Sequence, residues 1–279
     1  MMKNGHKVTV YDVNKSATQD LAKNGASVAS SLTEISQKCQ RIFTMLPTPE
    51  VILNVYKSPD GLLAKASSDT VFVDSSTVDP GTAQDVHQAA KAKNIKFFDA
   101  PVAGAVPAAR AGTLVFMVGG DETEIKQYIE SYLMGMGTSV FYCGPIGFGC
   151  AAKICNNQLL ANNMTAFSEA LHLGRNFGLD PKLLTQIINK GSGRSWCSEI
   201  YNPAPGINET SPSSNDYNGG FRVDLLYKDL GLAAKLAQQV HSPMPLGTLT
   251  QQIYRLMVNA GEYAAKDFSI VYKFLKGNK

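Results

Sequence analysis

A doubly wound α/β domain followed by an all-helical one is the fold class that this 279-residue sequence predicts. Three observations carry that expectation. Between Lys7 and Cys143, short runs of β-branched and aromatic residues alternate with segments of helical periodicity. Several of those runs, TVFVD at 70–74 and TLVFMVGG at 113–120 among them, are continuously apolar rather than alternating, as strands covered on both faces require. After Gly147 such runs stop and long amphipathic patterns take over. The expected division is an α/β domain over 1–145 and an all-helical domain over 146–279.

The elements follow in order. Met1–Gly5 reads as the last turn of a helix, with Gly5 as its terminal glycine. KVTVY (7–11) reads as a strand, followed by a helix over 14–25, a brief strand over 27–30 and a short helix reaching Lys38. RIFTML (41–46) is a buried strand that stops at Pro47, and a helix spans Pro49–Tyr56 before the Pro59-Asp60-Gly61 turn. The strand at 70–74 precedes a helix over 79–93 with Pro80 in its first turn. Strands at 95–101, 113–120 and 139–144 and a helix over 122–133 complete this half. Helices are expected at 147–177, 181–190, 222–240, 246–260 and 267–276. The segment 201–220 is too rich in Pro, Asn, Ser and Gly for regular structure. There is no internal repeat.

Composition narrows the function classes. Hydrophobic residues make up 44% and charged residues 18%, and the net charge of +3 is dispersed rather than blocked, so neither a nucleic-acid footprint nor a membrane surface is indicated. No apolar run approaches the length of a membrane span. The five cysteines lack a C-x-x-C spacing and the four histidines are far apart, so no metal site is expected and a reducing compartment is the simpler inference.

The chemistry concentrates in GPIGFGCAAKICNN (144–157). Gly147 and Gly149 open a helix on which Lys153 and Asn157 stand at i and i+4, sharing one face. A lysine close to a helix N-terminus and partly buried is pushed toward neutrality, where an amine can shuttle a proton. The same spacing also fits a glycine-rich turn followed by a helix with an ordinary surface lysine.

NGHKVTVYDVN (4–14), TMLPT (44–48), VDSSTVDP (73–80), FDAPVAGAVPAARAGTLVFMVGG (98–120), GFGCAAKICNN (147–157), SGRSWCSEIYNPAPG (192–206) and YNGGFRVDLLYKDLGLA (217–233) together resemble the β-hydroxyacid dehydrogenases. The last two segments resemble their 3-hydroxyisobutyrate dehydrogenase branch in particular. The resemblance runs through essentially the whole chain in order. It implies a Rossmann-like NAD-binding domain, NAD as cofactor and a small hydroxycarboxylate substrate. The implied reaction is oxidation of 3-hydroxyisobutyrate to methylmalonate semialdehyde, a step of valine degradation. A homo-oligomer (dimer or tetramer) and a mitochondrial location are implied as well.

The resemblance assigns catalysis to Lys153 and Asn157, with Asn157 also orienting the substrate. Cofactor contacts fall on Asp12, Leu46, Pro47, Thr77 and Lys228. Asp12 follows a strand, where an acid accepts from ribose hydroxyls and would repel a 2′-phosphate, although a strand-terminal Asp also caps turns. Leu46, Pro47 and Thr77 lie beyond the carboxyl ends of strands, where open α/β sheets bind ligands. The loop 99–106 would approach the substrate carboxylate through Ala103, Gly104 and Ala105. The family commonly carries serine and paired glycines there, so one hydroxyl is lost and a methyl is added where backbone should come close. Arg110, Arg175 and Arg194 are further carboxylate partners by charge.

Those departures leave room for a glyoxylate or semialdehyde reductase of the same fold. The family's opening strand and G-x-G-x-x-G turn have no counterpart ahead of Met1, so the dinucleotide-binding half is expected to be N-terminally truncated and its strand edges exposed. On that expectation the chain binds NAD weakly, and a non-catalytic isoform is a third reading.

Overall fold

The structure is a computed structural model and describes residues 1–277. The chain divides into two compact units, Met1–Lys153 and the residues from Ile154 onward.

The first unit opens with a 3-10 turn, Met2–Asn4, closed by Gly5 in the left-handed conformation (φ 81°). Strands and helices then alternate: β1 (Thr9–Val10), α1 (Lys15–Lys23), β2 (Ser27–Val28), α2 (Leu32–Lys38), β3 (Arg41–Thr44), α3 (Pro49–Lys57), α4 (Leu62–Lys65), β4 (Val71–Asp74) and α5 (Pro80–Lys91). They continue with β5 (Lys96–Asp99), β6 (Val102–Ala103), α6 (Ala105–Ala111), β7 (Leu114–Gly119), α7 (Glu122–Tyr128), α8 (Glu130–Met134) and β8 (Gly137–Gly144). Side-chain caps fix many helix starts. Asn14, Ser31, Thr48, Asp79 and Asp121 each accept a first-turn N–H, and Pro49 and Pro80 occupy first-turn positions where no N–H is needed.

β3, β4 and β5 form a parallel ladder in which Thr44, Asp74 and Asp99 are register neighbours at the carboxyl ends. β7 runs antiparallel to β5 and β6 and parallel to β8. β1 and β2 pair in parallel as a separate two-stranded sheet. The continuous apolar runs are explained by burial on both sides. Phe72 and Phe97 pack with Tyr56, Val86 and Ala90 on one face, while Val71, Val73 and Phe98 pack with Val118, Ile125 and Leu133 on the other.

Local departures from the sequence reading have identifiable causes. KVTVY pairs over only two residues, and RIFTML stops pairing at Thr44. The helix expected over 122–133 breaks at Ile129 (φ −133°), which lets Ile125, Ile129 and Leu133 enter the same core. The loop expected over 99–106 instead contains β6 and the start of α6, with Gly104 at the turn between them.

α9 (Phe148–Phe177) starts in the first unit and supplies, from Ile154, the first helix of the second. The second unit adds α10 (Pro181–Lys190), α11 (Trp196–Glu199), α12 (Val223–Gln239), α13 (Pro245–Asn259) and α14 (Val271–Lys276). Its core joins Met164, Leu171, Leu226, Leu230, Tyr254 and Phe268. The Pro- and Asn-rich stretch 201–220 holds one 3-10 turn, Pro212–Asn215, and is otherwise irregular but anchored. Its Tyr201 hydroxyl and the Phe221 N–H both reach the buried Asp267 carboxylate. Among the described residues no helix is long and apolar enough to cross a membrane.

Candidate active site

The N-terminus of α9 is built around one carboxylate. Asp99, fully buried at the end of β5, accepts the Gly147 N–H through Oδ1 (2.7 Å) and the Cys150 N–H through Oδ2 (2.9 Å). The helix can come this close because its glycines leave room. A Cβ on Gly149 would stand 2.3 Å from the Met117 carbonyl oxygen and 2.8 Å from Asp99 Oδ2, and one on Gly119 would stand 2.2 Å from Asp99 Oδ1. Gly147 adopts φ +93°, which an L side chain rarely takes. Burial raises the Asp99 carboxyl, and the two N–H donors oppose that rise. The positive end of the α9 dipole therefore meets a carboxylate.

Lys153 and Asn157 follow one turn apart on α9, as the spacing requires. Lys153 is half-buried and Asn157 almost wholly buried. Within the second unit, Asn157 Nδ2 donates to Asp229 Oδ2 at 2.7 Å, and Asn156 Nδ2 donates to Asn157 Oδ1 at 3.2 Å. Both ends of the Asn157 amide are thus fixed. Asp229, buried on α12, also stands 3.2 Å from the Lys228 ammonium through Oδ1. Asp229 is the residue that sequence reasoning passed over: it stands beside Lys228 in KDL, but nothing local shows that it meets a side chain 72 positions earlier.

The other assigned residues group on the first unit's strand ends. Leu46 and Pro47 follow β3, and Thr77 follows β4, so the two turns leave neighbouring parallel strands side by side. The Leu46 N–H donates to Ser76 Oγ (2.7 Å), which donates in turn to Asp74 Oδ1 (2.7 Å). Thr44 Oγ1 donates to the same oxygen at 2.6 Å and shares a hydrogen bond with the Tyr56 hydroxyl. Asp74 Oδ2 is buried without a hydrogen-bond partner. Burial pushes the Asp74 carboxyl up to about 6. Asp12 lies two residues beyond β1, exposed, and accepts the Asn14 N–H through Oδ1 (2.7 Å). It therefore does cap a turn, while the carboxylate remains reachable for hydroxyl donors.

In the substrate loop, Ala103 ends β6, Gly104 takes φ +127° and Ala105 takes φ +53°. The main chain there has the turn that glycines favour, with an alanine carrying part of it. Arg194 is committed to Glu199 at 2.9 Å, whereas Arg110 and Arg175 are exposed.

The strand-end turns, the exposed acid after β1 and the N–H groups around Gly104 are acceptor and donor sets that suit a dinucleotide and a small carboxylate. Residues 1–144 match the NAD-binding domain of 6-phosphogluconate dehydrogenase, and residues 147–275 match the NAD-binding domain of NADP-dependent 3-hydroxyisobutyrate dehydrogenase. The mitochondrial 3-hydroxyisobutyrate dehydrogenase of Homo sapiens is 46% identical over 277 residues, covering 99% of this chain and 82% of that one. An NAD-dependent L-serine dehydrogenase of Pseudomonas aeruginosa is 42% identical, covering 98% and 91%. The structure of a Mycobacterium tuberculosis 3-hydroxyisobutyrate dehydrogenase with L-serine superposes with a TM-score of 0.91 at 36% identity, covering 99% of this chain and 93% of that one. The chain belongs to the 3-hydroxyisobutyrate dehydrogenase family of β-hydroxyacid dehydrogenases.

Proposed function

We propose that the protein is an NAD-dependent dehydrogenase that oxidises 3-hydroxyisobutyrate to methylmalonate semialdehyde. The observation that carries this reading is the α9 constellation: Lys153 one turn before an Asn157 whose amide is held by Asp229. NAD, held by Asp12, Leu46, Pro47, Thr77 and Lys228, would supply the hydride acceptor for the carbinol carbon. Lys153, as the neutral amine, removes the hydroxyl proton in the same oxidation, so the alcohol loses one hydride and one proton overall. Asn157 orients the substrate, and Asp229 keeps the amide in a single orientation. The main-chain N–H groups around Ala103, Gly104 and Ala105 receive the substrate carboxylate.

Asp12, Leu46, Pro47, Thr77 and Lys228 are assigned to the cofactor. Asp12 supports NAD over NADP because a carboxylate accepts ribose hydroxyls and repels a 2′-phosphate. The mitochondrial relatives suggest the same compartment for this chain. Exposed Leu173 and Phe177 on α9, with Leu183 and Ile187 on α10, support a homo-oligomer.

A second reading is oxidation of L-serine, also a 3-hydroxy acid, favoured by the Pseudomonas relative. The test is NAD reduction with 3-hydroxyisobutyrate, L-serine and glycolate in parallel, with NADP as a second cofactor arm. Preference for 3-hydroxyisobutyrate with NAD is the expected outcome; preference for NADP would overturn the reading of Asp12.

A further inference from the structure

The Asp74 network is a buried polar chain that the proposed reaction does not use. Asp74 sits at the end of β4 with 1% of its surface exposed, and one of its oxygens takes both hydroxyl donors, Thr44 Oγ1 and Ser76 Oγ. Ser76 is itself fully buried, and its oxygen is the acceptor for the Leu46 N–H. The chain of bonds therefore runs from the turn after β3, through the turn after β4, into one carboxylate. An apolar pair of the same shape would pack this position without the cost of a buried acid.

We propose that Asp74 is the positioning residue for cofactor binding, holding the Leu46–Pro47 turn against the Ser76–Thr77 turn through the Ser76 hydroxyl, so that affinity for the dinucleotide follows the charge on this buried acid. The proposal rests on the assignment of Leu46, Pro47 and Thr77 to the cofactor. Hydrogen bonds to an ionised carboxylate are roughly twice as strong as those to its neutral form. The held arrangement is therefore firmest with Asp74 ionised and loosens on protonation. The groups acting on Asp74 are Thr44 on β3, Tyr56 on α3, Ser76 beyond β4, Asp99 on β5 and the Cys150 thiol on α9. Asp99 is the neighbouring acid, and its negative charge raises Asp74 along with burial. The resulting position of about 6 places the change in a range where both states can be populated.

The experiment measures NADH dissociation constants by fluorescence between pH 5 and 8 for the parent, Asp74→Asn, Ser76→Ala and Thr77→Ala. A parallel readout, independent of any ligand, is amide hydrogen exchange at Leu46 corrected for intrinsic rate. For the parent, affinity should weaken about three- to tenfold as pH falls through about 6, and Leu46 protection should fall with it. Asp74→Asn keeps an oxygen where Oδ1 stands. It should show the weaker affinity and protection at every pH, with a flat profile. Ser76→Ala should lose Leu46 protection outright. If Asp74→Asn keeps the parent's affinity, protection and pH slope, the proposal is overturned. If Thr77→Ala weakens NADH while the Asp74 and Ser76 variants change neither readout, the cofactor assignment stands and this inference fails. If Thr77→Ala leaves NADH binding unchanged while Asp74→Asn flattens the profile, the Thr77 assignment fails and the inference stands on the Leu46–Pro47 turn alone.

Discussion

The amide of Asn157 is held by Asp229 through a 2.7 Å hydrogen bond between two almost fully buried side chains. An asparagine that must present one face to a substrate needs such a partner, because its two amide ends are nearly equal in shape. Asp229→Asn replaces the acceptor by a group that can donate there and allows the amide to turn. We expect kcat for hydroxyacid oxidation to fall about 10- to 100-fold, as the loss of an orienting partner commonly costs, with the far-ultraviolet circular dichroism unchanged. Kinetics of the purified variant beside the parent check this.

The α9 N-terminus depends on Asp99 in the same way. Its carboxylate takes two backbone N–H groups, those of Gly147 and Cys150. Asp99→Ala leaves both donors buried, and we expect urea denaturation to show a loss of about 3–5 kcal/mol. Gly149→Ala should be destabilising for a different reason, since its methyl would meet the Met117 carbonyl at 2.3 Å. Both variants should lose activity more steeply than stability, because α9 carries Lys153.

Ala105 is held at φ +53°, a conformation that costs an L residue about 1–2 kcal/mol. Ala105→Gly removes that strain and loses about 0.4–1 kcal/mol to the freer unfolded chain. The net change in stability should be zero to slightly positive. The added room for the substrate carboxylate should appear as a lower KM for 3-hydroxyisobutyrate at unchanged KM for NAD. Thermal melts and steady-state kinetics together read both effects.

Asp74 makes a prediction about stability and pH. Its carboxyl rises from 3.8 unfolded to about 6 folded, so the native state binds the proton more readily. The contribution to stability is full below about pH 4 and is lost as pH rises through about 6. Asp74→Asn removes that loss. The variant should be about 1–3 kcal/mol more stable than the parent at pH 7.5, with the gap closing toward pH 4. Urea titrations at the two pH values decide it; a variant less stable at pH 7.5 would contradict the assigned cost.

Much of the fold was legible because it rests on local chemistry. Phe72 and Val73 lie in a run with no polar partner face, which a strand buried on both sides requires. Pro80, in the first turn of the helix expected over 79–93, announced a helix start that the structure places there. The Lys153–Asn157 spacing needed only the helix period. What stayed hidden depends on contacts between distant segments. Asp229 gains its role from Asn157, Asp99 from Gly147 and Gly149, and Asp74 from a serine whose other partner is a main-chain N–H in a different turn. β6 and α6 were missed because Gly104 turns the chain sharply enough to fit a strand and a helix into what reads as one glycine-containing loop.

The role of Lys153 is tested most directly by single-turnover NAD reduction with 3-hydroxyisobutyrate, comparing the parent with Lys153→Ala. Loss of a general base should lower the rate about 10²- to 10⁴-fold, with NADH binding unchanged. Equal rates in the two proteins would contradict the assignment of proton transfer to Lys153.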